Sequence, residues 1–355
     1  MSQQQSQQQQ QQQQGPPYAP RTAAVGGVPT VGVDVPICSV FLFLFALGAA
    51  GNMTLLLLNR KRGHKFLMSG LMFGFCMARI TAMVLRIVWA CYPHDVQVAM
   101  AAMIFVAAGV LILFLINVIF AQRILRAAHP HFGWHKMLTA SFGFMYGLIL
   151  AFLAIVITGT VQSFYTLSAR THRIDRDLQM AASGYFVFIS FLPIPMVILG
   201  LIVPRKTRVE KFGIGRWRTK IAILLTTSVL LCLGASFRAA TTFKNPRPRN
   251  DPAWYHEKWC FYFFNFTIEA IVIYLYLLLR VDLRFHVPDG SKGPGDYAAG
   301  SRNQEKQQEE GTSLDLRRSP SSITRVLSEE EVFDDMPPVD RRSSRRSTKE
   351  SESAV

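Results

Sequence analysis

Charge is scarce in this chain: of 355 residues only 17% are charged while 50% are hydrophobic. That balance lies outside the range of soluble domains and points to a multi-pass membrane protein. Cysteine is also sparse, five in all and none in a CxxC pair, which suggests neither a zinc site nor a dithiol redox motif. No histidine falls inside an apolar stretch. His64, His94, His129, His131, His135, His172, His256 and His286 all read as loop residues, which argues against a transmembrane haem protein with its paired intrahelical histidines. The seventh apolar run has no lysine for a retinal Schiff base, Lys258 standing at its edge. Walker A, HExxH and GxSxG sequences are missing. The third run ends Phe120-Ala121-Gln122-Arg123 with no DRY, and the seventh has no NPxxY, so the usual rhodopsin-class motifs are lacking. No enzymatic chemistry, metal or cofactor is expected. The N-terminus has no basic segment leading into an apolar core, so the first helix is expected to act as its own uncleaved targeting signal.

What the chain does have is seven apolar runs, each of about 20 residues or more and long enough to span hydrocarbon as a helix. They cover 36–58, 66–90, 98–122, 136–160, 179–203, 219–240 and 260–280. The expected fold is all-α: a seven-helix transmembrane bundle over 34–287, between a disordered Gln-rich tail at 1–33 and a disordered tail at 288–355. Loops on one side of the bundle carry seventeen Lys and Arg against eight on the other, densest between Arg205 and Lys220. The positive-inside rule then places the N-terminus outside and the C-terminus in the cytoplasm, with the plasma membrane as the expected location. The net charge of +15 serves this orientation and is no sign of nucleic-acid binding. In the tail, Ser319 follows Arg317-Arg318, and Ser343 and Ser347 sit among Arg341, Arg342, Arg345 and Arg346. These are candidate sites for a basophilic kinase, and their phosphates would create docking sites for a cytoplasmic partner.

The second run is the exceptional one, because it contains Arg79 and Arg86. A charge at the bilayer centre costs about 2.5–3.5 kcal/mol even on the lenient insertion scale, so such a residue needs a counter-ion, a wet cavity or an exit to the headgroups. Arg79 falls near the midplane. Arg86, two helical turns further out, is read as an interfacial anchor that snorkels, as is Arg238. Glu269 is the single acid within any of the seven runs and lies at the depth of Arg79. An Arg79–Glu269 pair is therefore expected, either as a structural lock or as part of a ligand site. Tyr262, Asn265, Glu269 and Tyr276 share a face by their spacing. Asn52 and Asn117 are expected to make interhelical hydrogen bonds, and Gly70-xxx-Gly74 and Gly143-xxx-Gly147 permit close helix contact. Pro193 and Pro195 should kink the fifth helix. Cys91 and Cys260, at the outer ends of the second and seventh helices, are a candidate disulfide.

From the sixth helix onward the chain reads Ser236-Phe237-Arg238-Ala239-Ala240, Asn245-Pro246-Arg247-Pro248 and Asp251-Pro252-Ala253-Trp254-Tyr255-His256. It goes on through Cys260-Phe261-Tyr262, Asn265-Phe266 and Glu269 to Leu279-Arg280-Val281-Asp282-Leu283-Arg284-Phe285-His286. This segment, with Cys76-Met77-Ala78-Arg79 and Phe120-Ala121-Gln122-Arg123, resembles a fungal family of multi-pass membrane proteins known as a domain of unknown function. The resemblance extends over about 36–296, implies a fungal integral membrane protein and transfers no activity. A looser likeness is to fungal seven-helix proteins of the lipid-translocating-exporter type. Arg238, Glu257 and Glu269 match its pattern, and Asn265 stands where that pattern has an aspartate. Three functions follow as expectations. One is receptor-like sensing of a small amphipathic ligand at an outer-side cavity near Arg79, Glu269 and Asn265. The others are translocation of lipids or amphipathic toxicants, and a non-transporting scaffold in the lipid bilayer.

Overall fold

In hydrocarbon every backbone N–H and C=O must be satisfied within the chain, so long apolar runs close on themselves as helices. The computed structural model describes residues 15–19, 22–61, 66–204, 209–210, 212–288, 290–291 and 293–297. Within them, seven helices are long and apolar enough to cross a membrane. These are α1 Val31–Lys61, α2 Leu67–Cys91, α3 Val96–Ala128, α4 Lys136–Tyr165, α5 Ala169–Ile202, α6 Trp217–Phe243 and α7 Lys258–Leu278. No strand occurs among the described residues; Thr22 and Pro248 form an isolated bridge. Each helix packs on the next around a ring that α7 closes against α1, and α3 also touches α5 and α6. Seven crossings put residues 22–30 and the α2–α3 and α6–α7 loops at one end, the N-terminal face, and residues 281–297 at the other, the C-terminal face.

Three helices are interrupted. At Val110 in α3 the amide turns to the Ala108 carbonyl, which leaves the Val106 carbonyl without its usual partner. In α5 the break is at Leu192, just before Pro193, where the proline ring removes a donor as expected. In α7 a π-helical turn covers Phe263–Thr267, closed by the Ile268 amide on the Phe263 carbonyl.

The helices run further than the apolar pattern. α1 starts at Val31 and takes in Asp34, and α5 starts at Ala169, so His172 is helical. Polar residues at a helix end extend the backbone hydrogen bonding without adding to hydropathy, which is why the pattern ends early. Both tails were expected to be disordered from 33 back and 288 on, yet parts of each are packed. A strap of residues 22–30 crosses the N-terminal face, with the Ala23 amide on the Arg247 carbonyl and the Gly26 amide on the His256 carbonyl, both at 2.9 Å. Gly26 has φ +84° and a Cβ there would lie 2.6 Å from the Phe261 ring, so only glycine fits. At the other face Tyr297 is buried against Trp134 and Phe212, and the Gly295 amide donates to Glu210 Oε1 at 2.7 Å. Residues 1–14 and 298–355, with Ser319, Ser343 and Ser347, lie outside the described residues, as do 205–208 and 211 of the basic connection.

Of the two GxxxG pairs only Gly70 faces another helix, where a Cβ would lie 3.7 Å from Leu56 of α1; one at Gly74, Gly143 or Gly147 would meet nothing within 4 Å. The tight glycine contact is instead at the C-terminal face. There Gly213, at φ +56°, lies so close that a Cβ would come 2.3 Å from the Arg284 carbonyl oxygen. The Ile214 amide donates to the Leu283 carbonyl (3.1 Å), Arg123 to the Phe285 carbonyl (2.5 Å) and Asn59 to Asp282 (3.0 Å). Gly213→Ala should therefore lower the thermal unfolding midpoint of the detergent-solubilised protein, at a cost of about 1–3 kcal/mol. Gly143→Ala should leave the midpoint unchanged; equal midpoints for the two variants would contradict this packing.

Candidate functional site

α2 presents its two arginines on one face about 10.5 Å apart along the axis, and each meets an acid from a different helix. At the deeper level the Arg79 Nη2 donates to Glu269 Oε1 at 2.7 Å, and Nε approaches Oε2 to 2.6 Å as an ion-pair contact. Both Nη1 donors go to carbonyls, of Val106 (2.9 Å) and Phe105 (3.2 Å). The break in α3 frees the Val106 carbonyl for this guanidinium. Gly109 makes room for it, since a Cβ there would sit 2.9 Å from Arg79 Cζ. Phe75 and Phe266 flank the guanidinium at 5.4 Å. Arg79 and Glu269 are both fully buried.

Arg238 is not the interfacial anchor that its position suggested. Helix side chains slant toward the start of their own helix, which in α6 means toward the middle of the bundle. Its Nη1 lies 3.9 Å from Glu269 Oε1, so two arginines share one carboxylate.

Arg86 likewise does not snorkel. It is buried, and Asp34 of α1 provides its charge partner inside the protein. Asp34 Oδ1 accepts from Arg86 Nη2 (2.9 Å), Arg86 Nε (3.2 Å) and the Tyr262 hydroxyl (2.7 Å). Its Oδ2 accepts from the Thr30 amide (2.8 Å) and from Lys258 Nζ (2.5 Å). Arg86 also donates to the Gly26 carbonyl of the strap (2.8 Å) and stacks on Phe261, 4.1 Å from the ring centroid. Glu269 is thus not the single intrahelical acid. Asp34 was missed because it precedes the apolar run, although the depth matching that joins Arg79 to Glu269 would have set it opposite Arg86.

The other expected residues fall elsewhere. Asn117 bonds between helices, to Ser228 Oγ (3.1 Å) and to the Tyr276 hydroxyl, which lies 3.2 Å from Thr227 Oγ1. Asn52 and Asn265 turn to carbonyls of their own helices, Gly48 and Phe261, each at 2.9 Å. The π turn separates Tyr262 from Glu269, sending the tyrosine to the Asp34 level. Cys91 and Cys260 are not bridged; both are free, Cys260 buried near the Trp254 carbonyl and Cys91 exposed.

A cavity of about 620 Å³ opens at the N-terminal face between the strap, the start of α3 and the α6–α7 loop. Trp89, Met103, Val28, Trp254 and Trp259 form much of its wall, with Arg249, His256, Glu257 and Lys258 around it. Arg79, Glu269 and Asn265 do not line it, so the expected cavity at the mid-bundle pair is replaced by one above the Asp34 level. The walls come from three segments distant in sequence, which no local pattern reveals. Burial holds the His256 imidazole below its ordinary value, which keeps it uncharged at neutral pH.

Seven spanning helices with charge pairs sealed between them define a multi-pass membrane architecture. A family model described as "Protein of unknown function (DUF3112)" matches residues 213–286, narrower than the resemblance drawn above. No curated protein and no solved structure matches the chain. The matched stretch contains Arg238, Lys258, Tyr262 and Glu269, while Asp34, Arg79 and Arg86 lie outside it.

Asp34→Asn would strand the Arg86 charge in the bundle and should cost about 3–5 kcal/mol in equilibrium unfolding in mixed micelles. Lys258→Met removes a cation that is 29% exposed and should cost about 1 kcal/mol or less. Similar losses for the two would contradict Asp34 as the charge partner of Arg86.

Proposed function

We propose that this chain is a receptor-like, non-enzymatic membrane protein that binds a small amphipathic ligand in the cavity at its N-terminal face. The observation that carries this reading is the cavity itself. Its volume falls within the ~300–1,000 Å³ of ordinary ligand sites, its walls are mostly apolar, and a few polar groups converge at one end. Trp254 and Trp259 are largely exposed, the placement tryptophan takes at a membrane–water interface, so an amphiphile resting in the bilayer reaches the opening.

Lys258 lines the cavity and bonds Asp34, which in turn holds Arg86 of α2 and Tyr262 of α7. Occupancy is thereby linked to the relation between α1, α2 and α7. The basic loops favour a plasma-membrane orientation with the cavity outside, and the opposite face then meets a cytoplasmic partner. Translocation is the weaker reading, because Arg79 and Glu269 are fully buried and paired with each other, and the cavity does not reach them.

Photolabelling tests this with a 12-carbon alcohol carrying a diazirine, applied to the purified full-length chain in phosphatidylcholine nanodiscs. Labelling should be saturable, concentrate on cavity residues, and fall about tenfold in Val28→Trp and Met103→Trp, which fill the space. Labelling spread evenly over lipid-facing residues, or unchanged in both variants, would overturn the reading.

A further inference from the structure

Among the residues that line the cavity, two cations, Arg249 and Lys258, stand against one acid, Glu257. Beneath them Asp34 is held by two cations, Arg86 at 2.9 Å and Lys258 at 2.5 Å. Arg86 is almost fully buried and its charge is matched by Asp34, with further bonds to the Gly26 carbonyl and the Tyr262 hydroxyl, whereas Lys258 is the partner of Asp34 that borders the cavity. An ammonium has three N–H groups. Thr30 Oγ1 and Asp34 Oδ2 each lie 2.5 Å from Lys258 Nζ and take two of them. The third has no acceptor among the described residues, and Lys258 lines the cavity.

Glu257 accepts from Trp259 Nε1 at 2.8 Å, and its single negative charge leaves one of the two lining cations unmatched. That positive charge lies at the edge of an apolar chamber, where a head of opposite charge gains a charge-assisted hydrogen bond.

We infer that the cavity takes an amphiphile with a single anionic head, a long-chain carboxylate being the simplest, its head on Lys258 and its chain along Trp89, Val28 and Met103. This rests on the ligand-binding reading above. A carboxylate on Lys258 competes with Asp34 for the ammonium, so binding bears directly on the group that ties α1 to α2 and α7. A hydrocarbon chain with a neutral head fills the same space but leaves the excess charge unmatched.

The test uses the diazirine-bearing 12-carbon acid beside the matching alcohol, in phosphatidylcholine nanodiscs with the full-length chain. The acid should half-saturate labelling at about tenfold lower concentration than the alcohol, the effect of one charge-assisted hydrogen bond. Lys258→Met should abolish that preference, read as the ratio of acid to alcohol half-saturation within the same variant, and Lys258→Arg, which keeps the charge, should retain it. Equal affinity for acid and alcohol, or a preference that survives Lys258→Met, would overturn the anionic-head inference while leaving a ligand site standing. Displacement of the alcohol by dodecyltrimethylammonium in preference to dodecanoate would overturn it in favour of a cation held by the tryptophans and Glu257. Absence of saturable labelling by either probe would remove the ligand site and this inference together. Phosphatidylglycerol in the nanodiscs separates two sources of the same chemistry: competition with the acid assigns the site to an anionic bilayer lipid, and no competition to a free acid.

Discussion

A guanidinium in hydrocarbon has to find its counter-charge within the protein, and that constraint shapes this bundle. α2 carries two such groups, and they are answered from two different helices, by Asp34 of α1 and Glu269 of α7. Burying an ion pair rarely adds much net stability, because desolvation offsets the attraction. Leaving either member alone is expensive, and that asymmetry makes the pairing a strong constraint on register and helix order. Local irregularities gather around it. The interruption of α3 frees the Val106 carbonyl for Arg79, Gly109 clears the space beside it, and the π turn of α7 separates the face of Tyr262 from that of Glu269.

The two charge levels differ in access. At the level of Glu269 the acid and Arg79 are sealed, with backbone carbonyls taking both Nη1 donors. At the level of Asp34 one cation, Lys258, is partly exposed and borders a cavity. The sealed level can hold the bundle while the open one responds to a ligand, since a change at Lys258 reaches Asp34 directly. The strap over the N-terminal face belongs to the responsive level, because the Gly26 carbonyl accepts from Arg86 and other strap residues line the cavity.

Hydropathy made the seven helices legible, and each overlaps its apolar run, although α5 begins ten residues earlier than its run. Depth matching named Arg79 with Glu269, the two groups that the structure brings into contact. Asp34 escaped because a helix that begins with polar residues starts before its apolar run does. That one omission carried with it the reading of Arg86 as an anchor. Arg238 was misplaced because position along a helix gives the depth of the backbone and not the direction in which a long side chain slants. The cavity was invisible because its walls come from the strap, α3 and the α6–α7 loop, and the strap had been counted as tail. The unbridged Cys91 and Cys260 show a similar limit: equal depth on two helices does not set two side chains face to face.

The claim at the centre is that Arg79 and Glu269 act as one unit joining α2 to α7. A double-mutant cycle with Arg79→Met and Glu269→Leu, followed by equilibrium unfolding in mixed micelles, measures it most directly. Each single substitution leaves a buried charge without its main partner and is expected to cost about 3–5 kcal/mol, while the double variant should lose clearly less than the sum, with a coupling of about 2 kcal/mol or more. Losses that simply add would contradict the account.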